Sequence, residues 1–235
     1  MYLTHNVTHA LNAGSEIIDR VYKTQGRFIF RIVRAIHKWP IFKWITADIL
    51  TAMRMIVALV NVVLFILGIR WGLTHFLPIL LSFTIIAYGS DFFDGQWARL
   101  EVEEGTKKKD TDFGSWFDNT ADKAVCIPSM FFIMYLQRAY LAPITMLIID
   151  IALGIFRWMI ARKYKMQLRA NHYGKFKTWL QGFSISFILA DYLIPGIGQV
   201  GYYILLCGAI PVGILSFLKH YQNVYPQIKG AQDGL

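Results

Sequence analysis

The feature that most constrains the fold of this chain is a series of apolar segments, each long enough to cross a lipid bilayer. Six such segments occur, at residues 49–69, 74–97, 113–136, 140–161, 176–194 and 198–218. A helix needs about 20 mainly apolar residues to span the hydrocarbon, where its backbone groups must bond to one another. The 235 residues are 55% hydrophobic and only 17% charged, and the six segments leave few residues for a separate soluble domain. We therefore predict an all-α integral membrane protein with six transmembrane helices.

Basic residues lie on one side of this predicted topology. They are concentrated in the regions 20–43, 99–109, 162–177 and 219–229, whereas the opposite loops contain only Arg70 and Arg138. Because lysine and arginine favour cytoplasmic loops, both termini are predicted to be cytoplasmic. The net charge of +9 is then explained by topology, and we expect no nucleic-acid partner.

The sequence predicts three regions along the chain. Residues 1–45 form a cytoplasmic N-terminal segment, in which apolar and basic residues alternate over 15–43 as in an amphipathic helix that lies in the headgroup plane. Residues 46–220 form the six-helix membrane domain, and 221–235 form a short cytoplasmic tail. A bacterial plasma membrane is the expected location, with an organelle inner membrane as the alternative.

Four aspartates interrupt the apolar pattern: Asp91 and Asp94 in one segment, Asp118 and Asp122 in the next. A charged side chain within a membrane helix costs roughly 2.5–3.5 kcal/mol on insertion scales, so such residues usually have a function. Spacings of three and four residues place each pair on one helix face. If the two helices pack antiparallel, the four carboxylates meet near the cytoplasmic boundary and repel each other unless cations intervene. Hard oxygen ligands favour Mg²⁺, Mn²⁺ or Ca²⁺; the alternative is a set of solvated helix ends.

Small and basic residues accompany the aspartates. Gly95, Ala98 and Gly114 permit close approach of a ligand or of a neighbouring helix. Arg99 has the planar group that binds phosphate through two parallel hydrogen bonds. The pattern predicts a site for a phosphate-bearing ligand beside the metal ligands.

The sequence Asp91-x-x-Asp94-Gly95-x-x-Ala98-Arg99, followed by Gly114-x-x-x-Asp118-x-x-x-Asp122, resembles the signature of the CDP-alcohol phosphotransferases. These are integral membrane enzymes of phospholipid synthesis. The resemblance implies a two-metal Mg²⁺ or Mn²⁺ site formed by Asp91, Asp94, Asp118 and Asp122, with Asp122 also the general base. Ile49-Leu50-Thr51-x-x-Arg54 is similar to the segment that opens the first helix in the family. The residues implied to bind the CDP-lipid are Thr51, Arg54, Asp91, Gly95, Ala98, Arg99 and Gly114.

A second stretch bears on the acceptor. Gly174-Lys175-Phe176-Lys177-Thr178-Trp179-Leu180-Gln181 is similar to a segment of the phosphatidylglycerophosphate synthases within this family. The resemblance implies an acceptor site formed by Arg157, Lys175, Lys177, Thr178 and Gln181. Three cations suit an anionic acceptor such as glycerol 3-phosphate, although cytoplasmic loops contain cations whatever the substrate.

The resemblance therefore implies transfer of a phosphatidyl group from CDP-diacylglycerol to an alcohol, with release of CMP, by a homodimer. Inositol phosphate and phosphatidylglycerol stay open as acceptors. Two other classes of protein are less well supported. An intramembrane prenyltransferase also uses paired aspartates but does not need the glycine, alanine and arginine positions. A divalent-cation transporter needs a polar path across the membrane, and the last two segments contain few charges.

Overall fold

The computed structural model describes residues 26–39, 44–106, 112–164 and 171–233, together with isolated positions between 14 and 42. Within these residues the chain is helical and contains no strand. The helices are α1 (26–37), α2 (Ala47–Trp71), α3 (Leu77–Glu103), α4 (Asp112–Gln137), α5 (Leu141–Tyr164), α6 (His172–Ala190), α7 (Ile197–Tyr203) and α8 (Ile210–Asp233). A π-helical segment, Ile204–Ala209, joins α7 to α8.

Local sequence sets where the helices begin and end. The side chains of Thr46 and Asn171 accept hydrogen bonds from backbone N–H groups in the first turns of α2 and α6, which would otherwise lack partners. Gly72 and Gly196 adopt φ values of 109° and 93°, a region that favours glycine. They lie at the end of α2 and the start of α7.

Four helical segments among the described residues are long and apolar enough to cross a membrane: Ala47–Trp71, Leu77–Glu103, Leu141–Ile160 and Ile197–Tyr225. Helices α4 and α6 form where spans were predicted but are less apolar. The first half of α4 contains Asp118, Asp122 and Lys123, and α6 begins with a polar turn. The prediction of an integral membrane protein is thus supported by four helices, while six spans are not established by helix length and composition.

The helices pack around α2 and α6. Helix α2 lies along α3 and α4, and α6 contacts the same two helices as well as the π-helical segment and α8. The core between them includes the buried residues Leu80, Met130, Ile133, Ile185 and Leu205. Large apolar side chains also cover the outside of α2 and α5, as expected for helices that face lipid.

Close contacts place α6 at the centre of this packing. A Cβ atom added at Gly201 would lie 2.6 Å from the carbonyl oxygen of Ser184, and one added at Gly182 would lie 2.7 Å from the ring of Tyr88. Since Ser184 and Gly182 belong to α6, both α7 and α3 approach this helix more closely than a side chain would permit. Helix α6 is therefore held firmly between them.

The two ends of the chain differ in part from expectation. Residues 26–37 are helical, and Val33 of α1 is buried against Trp97 and Leu100 of α3. The rest of the amphipathic helix predicted over 15–43 lies largely outside the described residues, and its position at the membrane surface stays a prediction. Helix α8 continues to Asp233, through most of the region expected to be a tail.

Candidate active site

Arg54 of α2 joins three of the four predicted metal ligands. Its Nη1 atom donates to Asp91 Oδ1 at 2.8 Å and to Asp122 Oδ1 at 2.6 Å, and its Nη2 atom donates to Asp94 Oδ2. The guanidinium is enclosed, with only 1% of the side chain exposed. A guanidinium presents several donors in one plane, so a single residue holds carboxylates from both α3 and α4.

The three carboxylates differ in their access to solvent. Asp94 is buried and also accepts a hydrogen bond from the hydroxyl of Thr51 at 3.3 Å. The side chains of Asp91 and Asp122 are 25% and 30% exposed. A ligand that enters the site would therefore reach Asp91 and Asp122 before it reached Asp94.

The two aspartate pairs were expected to meet if α3 and α4 packed antiparallel, and three of the four aspartates do meet. Over the described residues, α3 and α4 both lie extensively against α2 and α6. Asp91, Asp94 and Asp122 come together because each contacts Arg54. Asp118 lies in α4, and its side chain, like Gly114, is outside the described part of the structure.

The side chains at this site suit a hard divalent cation in their chemistry. Carboxylate oxygens are the ligands that Mg²⁺ and Mn²⁺ prefer. The Oδ1 atoms of Asp91 and Asp122 contact the same nitrogen of Arg54, so they lie within a few ångströms of each other. Among the described residues, no group of three His, Cys, Asp or Glu side chains is arranged as metal ligands, since these carboxylates surround a guanidinium. The type of donor atom therefore suits Mg²⁺ or Mn²⁺, while in this arrangement Arg54 provides the positive charge between the carboxylates.

A small cavity adjoins Asp122 and connects the two predicted halves of the site. It is lined by Arg54, Tyr88, Asp91, Asp122, Cys126 and Thr178, among others. These residues come from α2, α3, α4 and α6. One residue predicted to contact the acceptor, Thr178, therefore shares a cavity with the predicted base.

Three further residues predicted to bind the CDP-lipid lie within two turns of Asp94 on α3. Gly95 is exposed, and a Cβ atom there would meet nothing within 4 Å. Ala98 is half-buried against the cluster that α1 forms with α3. Arg99 is exposed and donates from Nη1 to Gln96 Oε1 at 3.4 Å. This part of α3 offers open space and a cation beside the aspartates.

Two of the predicted acceptor residues form a buried network with Asp150. Lys177 Nζ contacts Asp150 Oδ1, and Gln181 Nε2 donates to Asp150 Oδ2 at 3.0 Å. Lys123 Nζ lies 3.6 Å from the same carboxylate. No role was predicted for Asp150 from the sequence. The sequence indicates only that Asp150 is an isolated carboxylate within an apolar segment. Such a carboxylate needs a cation nearby.

Arg157 and Lys175 differ from Lys177 in their surroundings. Arg157 of α5 is half-buried, and its Nη2 atom lies 2.9 Å from Nε2 of His220. It forms no ion pair with a carboxylate of the described residues. Lys175 is exposed at the start of α6. Lys177 is therefore part of a buried ion pair, Arg157 has no carboxylate partner within the described part of the chain, and Lys175 lies at the surface.

Comparison with known protein families gives a match that spans most of the chain. Residues 44–215 match the CDP-alcohol phosphatidyltransferase family. The comparisons with curated proteins and with solved structures gave no match. The matched region begins just before α2, ends within α8, and includes the aspartates, Arg54, Asp150 and Lys177. The chain therefore belongs to the CDP-alcohol phosphatidyltransferase family.

Proposed function

We propose that this protein transfers the phosphatidyl group of CDP-diacylglycerol to glycerol 3-phosphate and releases CMP. Members of the family use a CDP-alcohol and an alcohol acceptor, and they are generally dependent on a divalent metal. The observation that supports the reaction in this chain is the convergence of Asp91, Asp94 and Asp122 on Arg54 between α2, α3 and α4.

The proposed reaction is an in-line displacement at phosphorus. The hydroxyl oxygen of the acceptor attacks the lipid-side phosphorus of the pyrophosphate, and the bond from that phosphorus to the CMP oxygen breaks. Asp122 takes the proton from the hydroxyl group. Asp122 suits this role because its side chain is 30% exposed, so an alcohol can come within hydrogen-bonding distance of it from the solvent side. It also lines the small cavity that Thr178 lines.

We propose that Asp91, Asp94, Asp118 and Asp122 hold two Mg²⁺ or Mn²⁺ ions. When bound, such ions neutralise the charge of the pyrophosphate and of the leaving CMP. The residues proposed to line the CDP-lipid site are Thr51, Arg54, Asp91, Gly95, Ala98, Arg99 and Gly114. Arg54 holds the carboxylates in one place, since its guanidinium offsets their mutual repulsion.

The choice of an anionic acceptor is supported mainly by Arg157. A guanidinium without a carboxylate partner can form two parallel hydrogen bonds with a phosphate. Lys177 gives weaker support, because Asp150 already offsets its charge. Thr178 is close to Asp122, where the hydroxyl of the acceptor would lie. Inositol phosphate carries the same anionic group, whereas phosphatidylglycerol is a lipid and would approach from the membrane.

We also propose that the protein crosses the membrane six times, with both termini in the cytoplasm. Each of the six predicted segments coincides with a helical region, and an even number of spans places all four basic regions on one side. The proposed protein is a homodimer of the bacterial plasma membrane.

A CMP-release assay tests the function directly. Purified protein in detergent micelles is given Mg²⁺ or Mn²⁺, CDP-diacylglycerol and, in separate reactions, glycerol 3-phosphate, inositol phosphate, phosphatidylglycerol or glycerol. We expect CMP with glycerol 3-phosphate alone. Release with a different acceptor would keep the reaction but reject the acceptor, and release with none while CDP-diacylglycerol still binds would reject the function.

Replacement of the proposed base provides a second test. Asp122→Asn should lower turnover by about 100-fold or more, because general base catalysis typically contributes factors of that size. Binding of CDP-diacylglycerol should persist, as measured by calorimetry. Asp191→Asn is the matched control, since Asp191 follows the last residue of α6, away from the proposed site. Asp191 accepts hydrogen bonds from the backbone N–H groups of Gly196 and Gly198, and the amide oxygen of asparagine can accept the same bonds. Full activity of the Asp122 variant would remove this residue as the base.

A further inference from the structure

Arg157 is a cation whose hydrogen-bonding capacity is only partly used. Its Nη2 atom contacts His220, whereas its Nε atom is buried and has no hydrogen-bond partner among the described residues. Asp122 and Asp150 lie near enough to interact with its charge, but neither forms an ion pair with it. Among the described residues, the orientation of this guanidinium therefore depends on few direct contacts, and its hydrogen bond is the one to His220.

The buried position of His220 and its contact with Arg157 determine the protonation state and the tautomer of its ring. Its side chain belongs to α8, and the residue is 2% exposed. A guanidinium has only donors, so Nε2 of His220 must accept the hydrogen bond, and the ring proton must be on Nδ1. A protonated imidazole has no acceptor and would repel the guanidinium. The contact thus requires a neutral histidine in one tautomer.

Hydrogen bonds between Asn171 and Ser216 hold the part of α8 that contains His220 close to the beginning of α6, where Arg157 also lies. Asn171 Nδ2 donates to the carbonyl oxygen of Ser216 at 2.8 Å, and Ser216 Oγ donates to Asn171 Oδ1 at 2.8 Å. Ser216 precedes His220 by one helical turn, so the two share a face of α8. A Cβ atom added at Gly174 would lie 3.7 Å from Nη2 of Arg157. The first turn of α6, Arg157 and the face of α8 with His220 are therefore in direct proximity.

From this geometry we propose that His220 is a positioning residue for the acceptor: it accepts a hydrogen bond from Arg157 and so turns the other guanidinium donors towards the anionic group of the acceptor. The inference rests on the proposed function, in which Arg157 binds that group. It goes beyond it because His220 lies outside the family match, which ends at residue 215, and was not among the predicted site residues.

Two substitutions of His220 separate this role from simple packing. His220→Leu fills similar space without an acceptor, whereas His220→Gln keeps an oxygen that can accept from Arg157. We expect His220→Leu to raise the KM for glycerol 3-phosphate about tenfold, because hydrogen bonds to charged groups contribute effects of at least that size. The KM for CDP-diacylglycerol and the kcat at saturating acceptor should change less than about twofold. His220→Gln should recover most of the acceptor KM.

A double substitution shows whether the effect acts through Arg157. Arg157→Gln should raise the acceptor KM on its own, and adding His220→Leu should raise it no further, since coupled residues give non-additive effects. An equal loss in kcat, in acceptor KM and in CDP-diacylglycerol KM, or additive effects in the double variant, would reject the positioning role. Equal losses in the leucine and glutamine variants would reject it too.

The wild-type protein separates failure of this inference from failure of the proposed function. Wild-type CMP release with glycerol 3-phosphate, together with an unchanged acceptor KM in His220→Leu, rejects the inference alone. A wild-type protein that releases no CMP with any anionic acceptor rejects both. Melting temperatures of all variants in detergent, within a few degrees of wild type, show that a kinetic change is not due to unfolding.

Discussion

At the scale of single residues, Arg54 gives the site its form. Three carboxylates from two helices would repel one another in a setting of low dielectric constant, yet each of them contacts this one buried guanidinium. Thr51, one turn earlier on α2, adds a hydroxyl donor to Asp94. Helix α2 therefore holds the aspartates of α3 and α4 in place, in addition to the contact with CDP-lipid proposed for both residues.

Removal of the guanidinium should destabilise the protein in a way that depends on divalent metal. Arg54→Gln leaves Asp91, Asp94 and Asp122 without their shared cation, so the melting temperature should fall by several degrees in EDTA. The fall should be smaller in Mg²⁺ or Mn²⁺, because these ions offset the same negative charge. Arg54→Lys should be intermediate, since an ammonium keeps the charge but lacks the planar set of donors.

Thermal unfolding in detergent, followed by tryptophan fluorescence, measures this effect. Arg70→Gln serves as the control because Arg70 is an exposed arginine on the same helix. Equal destabilisation of Arg54→Gln in EDTA and in Mg²⁺ would show that metal and guanidinium do not act on the same carboxylates.

At the scale of helices, α5 and α6 are joined by a buried ion pair close to the site. Asp150 is 2% exposed, Lys177 is 5% exposed, and Gln181 completes the hydrogen bonding of the carboxylate. The thiol of Cys126 in turn donates to Oε1 of Gln181 at 3.6 Å, which extends the network to α4. Since Thr178 lies between Lys177 and Gln181 on α6, this network also sets the position of the cavity beside Asp122.

The pair predicts a specific pattern of stability changes. Asp150→Asn should destabilise the protein by about 3–5 kcal/mol, because it leaves the buried Lys177 without its carboxylate partner. Lys177→Gln should destabilise it less, because Lys123 still lies 3.6 Å from Asp150. The double variant should be less destabilised than the two single effects together. Lys175→Gln, which changes an exposed lysine on the same helix, should have little effect.

Unfolding in detergent micelles measures these differences, and acceptor kinetics of the same variants assign Lys177. If Lys177 only completes the ion pair, the folded double variant Asp150→Asn/Lys177→Gln should have the same KM for the acceptor as the wild type. Additive destabilisation by the two single changes would show that the pair does not stabilise the packing of α5 on α6.

At the scale of the whole molecule, the sequence predicts where the helices are better than it predicts which helices pack against each other. Hydropathy located a helix in each of the six predicted segments. A helix that is buried in lipid needs a long apolar run whichever helices it packs against. Hydropathy did not predict that α3 and α4 pack mainly on α2 and α6, since helices in a membrane associate through detailed side-chain packing. The shared cavity that Thr178 and Asp122 line depends on this packing and leaves no pattern in the sequence.

The same distinction applies to the candidate site. Regular spacing and the family signature identified Asp91, Asp94 and Asp122, which do meet. Neither spacing nor signature revealed that Arg54 would join them, or that His220 would contact Arg157 over 63 residues of sequence. Contacts between residues so distant in the chain follow from the fold, and a lone histidine in an apolar helix gives no indication of its partner.

The number of spans is the last property that depends on the whole molecule, and the crossing of α4 is the part of it that single cysteines can test. The four apolar segments leave open whether α4 and α6 cross the membrane. If both cross, the loops at Thr74 and Tyr140 face the outside and the loop at Glu104 faces the cytoplasm. If α4 does not cross, Tyr140 lies on the same side as Glu104. All three residues are exposed, so single cysteines there, in a Cys126→Ala/Cys207→Ala background, can report their side.

We expect a membrane-impermeant maleimide to label Thr74→Cys and Tyr140→Cys in intact cells, and Glu104→Cys only after permeabilisation. This outcome follows from the basic regions, because six spans place all of them in the cytoplasm, and α4 would then cross with its aspartates at the cytoplasmic end. Labelling of Tyr140→Cys only after permeabilisation would reject six spans. It would also mean that Asp122 belongs to a helix outside the hydrocarbon, where its charge has little cost and the argument from burial in lipid no longer applies.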